Sequence, residues 1–201
     1  MIPDDILIEA HHYWCGHLPT KEHFPEDKAG IWFERSDATD AEIFALFGPF
    51  LDEVAAHPWV LADLDRSEAI GLVIMLDQFP RNLFREDARA FRYDPVARAH
   101  ARTLVEGGVE RFALIERCFL YLPFEHGEEI ADQDLSVALY EALLAEAPAT
   151  QAKTYQNYLD FAVKHRDLIR RFGRFPHRNA VLGRVSTPEE AAFLAEHGRG
   201  Y

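Results

Sequence analysis

The sequence predicts an all-α protein of antiparallel helical hairpins, arranged as a bundle or as a stacked superhelix. Three observations carry that expectation. Apolar residues recur at three- and four-residue intervals along most of the chain, and no segment sustains the alternation of a half-buried strand. Helix starts and stops punctuate the chain, with proline or an acidic residue at openings and glycine or proline at closings. The links between these segments are short, which favours antiparallel neighbours. No clean internal repeat is visible, so any repeat architecture has diverged in sequence.

Taken in order, Pro3-Asp4-Asp5 opens a first helix that carries Ile6, Ala10, Tyr13 and Trp14 and stops at Gly16. Residues 18–27 form an irregular polar link with Pro19 and Pro25, and a short helix through Ile31-Trp32-Phe33 follows. Residues 39–56 place Ile43, Leu46, Phe47, Phe50, Leu51 and Val54 on one stripe, with Pro49 expected to kink or break it. Residues 66–78 differ. Ala69 to Leu76 is apolar all round, as suits a central helix covered on every side. That helix is expected to end at Phe79-Pro80, since the residue before proline avoids the helical region.

Asp94-Pro95 reads as an N-cap with proline at the first helical position, and its helix runs to Gly107-Gly108. Residues 110–122 carry Phe112, Ile115, Phe119 and Leu122 and stop at Pro123. Residues 128–147 give the next helix, closed by Pro148, and 149–172 a long one with Tyr155, Tyr158, Ala162, His165, Ile169 and Phe172 in line. Thr187-Pro188-Glu189-Glu190 is a capping box that starts a last short helix ending near Gly198.

The 201 residues fit one domain, residues 1–201, long enough to bury about 70% of its unfolded surface. A net charge of −13 repels phosphate backbones and anionic headgroups, so neither nucleic acid nor membrane is an expected partner. The two cysteines, Cys15 and Cys118, make no disulfide framework, and a cytoplasmic location is expected. The acidic start MIPDDILIEA shows no signal peptide, and the run from Ala69 to Leu76 is too short to span a bilayer.

Against this acidic background one segment is cationic. Lys164, Arg166, Arg170, Arg171, Arg174, Arg178 and Arg184 are seven of the 21 Lys and Arg residues, opposed locally by Asp167. Pairing with the protein's own carboxylates is the ordinary reading of such a run, and a focused site for a small anion is the sharper one. The turn Phe175-Pro176-His177-Arg178-Asn179 has a smaller relative in Phe79-Pro80-Arg81-Asn82. Gly173 and Gly183 bracket the larger turn and suit its geometry. Arg81, Asn82, Arg174, His177, Arg178 and Asn179 are therefore the candidate contacts for a carboxylate or phosphate.

Asp77 falls on an apolar face and needs a partner, with Arg81 four residues on. His165 sits on the apolar line of the long helix, and His126 lies in the turn after Pro123 beside Glu125. These four, Asp77, Glu125, His126 and His165, are the candidates for acid–base work, although a paired carboxylate and a satisfied core histidine explain them structurally. No Glu-x-x-His pair, zinc spacing, phosphate loop or nucleophile elbow occurs, so neither metal nor cofactor is expected.

Five stretches resemble the hallmark blocks of a bacterial family known as domain of unknown function 924. They are Tyr13-Trp14-Cys15-Gly16, LDQFPRN (Leu76–Asn82), FLYLPFEHGEE (Phe119–Glu129), HRDLIRRFGRFPHRN (His165–Asn179) and LGRVSTPEEAAFL (Leu182–Leu194). The resemblance covers nearly the whole chain and implies an all-α fold like that of tetratricopeptide repeats. Cys15 departs from the aromatic usual there, and Gly127 replaces a usual serine, removing a hydroxyl beside His126. The family implies no activity. Three readings stay open: a binding module for a small anionic molecule or peptide, a cofactor-independent acid–base enzyme, and a structural or protein-partner scaffold. On each site reading the loops 77–85, 123–129 and 174–179 are expected to line one polar cleft.

Overall fold

The computed structural model describes residues 1–198, the Phe33 side chain excepted. Every regular element among them is helical. By internal packing the chain forms two compact units, Met1–Arg85 with Arg89–Pro123, and Glu86–Ala88 with Phe124–Tyr201.

The first unit is organised around α5 (Arg66–Asp77), introduced by a capping box in which Asp65 accepts from the Glu68 amide at 2.8 Å and Glu68 returns the bond at 2.7 Å. Every residue from Ala69 to Asp77 is buried, as an apolar run without a polar face requires. Helix α1 (Ile6–Cys15) packs on α5, and Gly71 makes the approach possible: a Cβ there would lie 1.9 Å from the Leu7 carbonyl oxygen. Gly16, with φ of 67°, ends α1 where the sequence stops it.

Short helix α2 (Ala29–Phe33) brings Trp32 against Phe119, ring centres 5.0 Å apart, with its Nε1–H donated to the Trp14 carbonyl at 2.9 Å. The stripe from 39 to 56 is broken at Pro49. Helix α3 (Asp37–Leu46), a 3-10 turn at Gly48–Phe50 and α4 (Leu51–Ala56) replace one long helix. Phe47, Phe79 and Trp14 complete an aromatic core, with Phe47 stacked on Phe79 at 4.7 Å.

Pro80 does not end the helical path. A short α6 (Phe79–Leu83) begins at once, because proline is tolerated in a first turn where its missing N–H has no intrahelical role. Helix α7 (Asp94–Glu106) starts one residue earlier than the sequence suggests, and the Asp94 carboxylate serves Arg81 instead of capping. Helix α8 (Leu114–Glu125) likewise corrects an expectation, since Pro123 lies inside it. A proline in the last turn forfeits a single bond, and the helix continues to Glu125.

In the second unit α9 (Ile130–Glu146) and α10 (Ala152–Phe172) pack along each other as a helical hairpin. Gly173 adopts the left-handed conformation, φ 70°, and closes α10. The chain then turns through a 3-10 segment, Pro176–Arg178, to α11 (Pro188–His197), whose capping box at Thr187 and Glu190 is formed as the sequence predicts. Leu168 and Ile169 of α10, Phe175 of the turn and Phe193 of α11 make a local core that fixes this turn.

Candidate functional site

The first-unit candidates face protein carboxylates. Asp77 closes α5 fully buried, receives Gln78 Nε2 at 2.6 Å, and lies 3.4 Å from Arg81 Nη1. The Arg81 fork is bidentate on Asp94, both bonds 2.9 Å, and also reaches the Asp77 carbonyl. Burial works against its charge, but Asp77 and Asp94 raise its pKa further still. Asn82 Nδ2 donates to Asp40 at 2.9 Å, and Arg85 grips the same carboxylate at 2.6 and 2.9 Å. Desolvation would raise the Asp40 pKa, yet Arg85 and Asn82 hold it below its ordinary value.

The second-unit candidates come from two loops that meet. Helix α8 delivers Glu125 buried at its last position, and its end is secured by Gln133 of α9. That amide donates to the carbonyls of Glu125 at 2.6 Å and Gly127 at 2.7 Å, and at 3.4 Å to that of Phe124, which also accepts from the Gly127 amide at 3.0 Å. The neighbouring Gly127 is tightly enclosed, and a Cβ would stand 3.0 Å from Asp132 Oδ2.

Glu125 points its carboxylate at His165 on α10. The imidazole Nδ1 lies 3.0 Å from Glu125 Oε1 and 2.8 Å from the Phe161 carbonyl, so that nitrogen carries the proton and donates. Burial lowers the His165 pKa, but Glu125 and the Phe161 carbonyl overcome it and the net shift is upward. The side chain keeps 14% of its surface exposed, and Nε2 has no hydrogen-bond partner among the described residues.

Phe175, fully buried, gathers the rest. His165 meets its ring edge-on at 5.5 Å, His177 lies tilted at 5.5 Å, and the Arg178 guanidinium sits over the ring at 4.5 Å. Arg178 also donates to the His126 carbonyl at 3.1 Å, which ties the two loops together. His177 is pushed down to about 4 by burial first, then by Arg178 and His165, so it is neutral near pH 7. Its Nδ1 is buried without a partner among the described residues.

The remaining candidates are engaged within the unit. Arg174 forms a bidentate pair with Glu190 at 2.6 and 2.8 Å, and Asn179 donates to Ser186 at 3.1 Å and to Glu190 at 3.2 Å. Glu190, held down to about 2 chiefly by Arg174, thus serves the helix cap and the turn together. The sequence places Glu128 at the start of the helix over residues 128–147. It lies before α9 instead, accepting from the Phe175 amide at 2.8 Å and from both ends of the Arg184 fork at 2.7 and 3.0 Å. Along α10, Arg170 pairs with Asp134 at 2.8 Å and Arg171 with Glu189 at 2.9 Å. The cationic segment is in large part internally balanced.

Sequence reasoning missed Gln133, for nothing marks a glutamine eight residues after a carbonyl it will clamp. It also missed the pairing of His11, whose Nε2 lies 2.6 Å from Glu116 Oε1, both buried, with Arg66 Nε 3.3 Å from the same oxygen. Among the described residues no group of three or more His, Cys, Asp or Glu side chains could hold a metal ion, and no helix is long and apolar enough to cross a membrane.

Comparison with known proteins agrees with this architecture. The profile of the family described as "Bacterial protein of unknown function (DUF924)" matches residues 11–198. A solved structure of a protein of unknown function from Agrobacterium tumefaciens is similar at 33% identity and a TM-score of 0.68, covering 85% of this chain and 92% of that one. No curated protein matches the chain. The chain therefore belongs to the bacterial family of unknown function DUF924.

Proposed function

We propose that the protein binds a small anionic molecule, or a peptide offering the same group, at the second-unit cluster of His126, His165, His177 and Arg178. The observation that carries this reading is the buried His177 Nδ1, without a partner among the described residues, beside the Arg178 guanidinium and the His165 ring around Phe175. Arg174, Asn179 and Arg184 direct their donors at Glu190 and Glu128, and Arg81 and Asn82 at Asp94 and Asp40. The reading does not draw on them. Around Phe175 two imidazoles and a guanidinium meet, and His177 is held neutral by burial first and then by the positive potential of Arg178 and His165. A carboxylate or oxyanion would relieve that potential and give His177 Nδ1 an acceptor. Two buried cysteines without a disulfide suit a cytoplasmic location for this activity.

The test is an NMR titration with sulfate, phosphate, acetate and succinate, following the imidazole Cε1–H signals. Saturable shifts at His165 and His177, weakened at least tenfold in Arg178→Ala and in His177→Gln at near wild-type melting temperature, support the reading. Shifts that leave both histidines unmoved would refute it.

One observation favours a second reading, acid–base catalysis. Glu125 holds His165 Nδ1 at 3.0 Å, which orients the ring and leaves Nε2 to exchange a proton with a bound molecule. On that reading His165→Gln abolishes turnover of a bound anion while leaving its affinity within a few fold, and Glu125→Gln shifts the pH–rate profile to lower pH.

A further inference from the structure

This inference rests on the acid–base reading and assigns it a residue from outside the Phe175 cluster. Glu125 reaches His165 from the last position of α8, two residues beyond Pro123. A helix end leaves its last carbonyls without intrahelical donors, and such ends fray. Here the end is held. The Phe124 carbonyl accepts from the Gly127 amide at 3.0 Å and the His126 carbonyl from Arg178 at 3.1 Å. The carbonyls of Glu125 and Gly127 share one donor, Gln133 Nε2, at 2.6 and 2.7 Å. Gln133 lies on α9 with no exposed surface. Turning its amide over would set Oε1 against those carbonyl oxygens, so the turn fixes which end is nitrogen. Oε1 is then buried without a partner among the described residues, a cost that a leucine or methionine filling the same space would avoid. What the amide contributes in return is its hold on the backbone that carries Glu125.

We propose that Gln133 is the positioning residue of the Glu125–His165 pair. By fixing the Glu125 and Gly127 carbonyls it sets where the Glu125 carboxylate stands, 3.0 Å from His165 Nδ1, and so keeps the proton on that nitrogen. Nε2 is left to face a bound molecule. The Phe161 carbonyl also accepts at Nδ1, at 2.8 Å, but it belongs to the preceding turn of α10 and carries no full charge. With the end of α8 released, His165 would keep the Phe161 carbonyl and lose the carboxylate. The His165 pKa reports that loss: burial lowers it and Arg178 opposes it, but Glu125 and the Phe161 carbonyl raise it above its ordinary value.

The test follows His165 by NMR in the free protein, with no ligand added, through its Cε1–H titration and the nitrogen signals of its neutral ring. Gln133→Met keeps the length of the side chain and removes the donor, and far-UV circular dichroism checks its fold. It should lower the His165 pKa toward the ordinary 6.5 and move the neutral ring away from the Nδ1–H form. Gln133→Asn, one methylene short of the carbonyls, is milder and should move both signals in the same direction. Leu143→Ala opens a cavity at a buried position farther along α9, so it should lower the melting temperature and leave both signals at their wild-type values. Signals unchanged in the folded Gln133 variants, or moved as far by Leu143→Ala, overturn the positioning role and leave the Glu125–His165 pair standing. Glu125→Gln separates the two ideas. If it leaves His165 unmoved, the pair is not formed in solution, and the acid–base reading falls together with the role of Gln133.

Discussion

Replacing Gly71 with alanine sets two ordinary effects against each other, and the structure decides between them. Alanine is worth about 1 kcal/mol over glycine inside a helix, and burying its methyl group adds about 0.8 kcal/mol. Yet the new Cβ would stand 1.9 Å from the Leu7 carbonyl oxygen and 2.7 Å from its carbon, both backbone atoms that no rotamer change can move. To reach ordinary contact, 3.4 Å or more, α1 must retreat about 1.5 Å from α5. Ile6, Leu7, Ala10 and Trp14 are all nearly fully buried, and a gap of even 1 Å forfeits up to half of a dispersion contact. Summed over these side chains the loss is about 4–6 kcal/mol, leaving a net destabilisation of roughly 3 kcal/mol. For a chain of this length that is a fall of about 6–12 °C in melting temperature. Gly30 in α2 is the control, because nothing lies within 4 Å of its missing Cβ, and Gly30→Ala should be neutral or slightly stabilising. Thermal denaturation of both variants measures the contrast. A Gly71→Ala protein as stable as the wild type would show that the crossing of α1 and α5 tolerates sliding, and the packing argument would fall.

Gln133→Leu should cost about 2–4 kcal/mol in urea unfolding, because the carbonyls of Glu125 and Gly127 lose their buried donor together. The two histidines should drive stability in opposite directions with pH. His165 has a folded pKa above its unfolded 6.5, so its contribution is complete below that value and is lost as pH rises through the folded one; Glu125→Gln should flatten that loss and lower the pKa seen by NMR. His177 has a folded value of about 4, so between pH 4 and 6.5 the unfolded chain binds more protons and stability climbs with pH, by on the order of 1–3 kcal/mol, a climb that His177→Gln should remove. At the other end of the unit, Glu190 keeps its contribution above pH 4.5 and loses it as pH falls toward about 2, so α11 should detach in acid before the hairpin of α9 and α10 melts, visible as early amide exchange at residues 188–197.

The parts of the fold that depend on local chemistry were legible. The capping box at Thr187, the stops at Gly16 and Gly173, and the all-round burial of α5 follow from propensity and pattern alone. What was not legible depends on distant partners. Asp94 reads as a helix cap until Arg81 claims its carboxylate, and Glu128 reads as the first residue of a helix but lies before it, bonded to Arg184 and the Phe175 amide. Pro123 reads as a stop, but the end of α8 is held by the Gln133 amide, and Glu125 remains helical where it can meet His165. In the candidate site the residue types could be named from the sequence, whereas the division of charge among them is set by pairings between residues up to 56 positions apart.

The aromatic core has a spectroscopic consequence. Trp14, Trp32 and Trp59 are the three tryptophans of the chain, and all belong to the first unit. Trp14 is sealed within rings of Phe79 and Phe119, its indole N–H without a partner among the described residues. Indole emission is therefore a private signal of one unit, blue-shifted while that core is intact, and it is silent about the Phe175 cluster. The second unit holds none of these tryptophans and reports through its resolved imidazole resonances, those of His165 and His177 among them. A melt followed in both channels separates the two: superimposed curves mean that the chain unfolds as one cooperative body, and displaced curves show which unit yields first and by how many degrees.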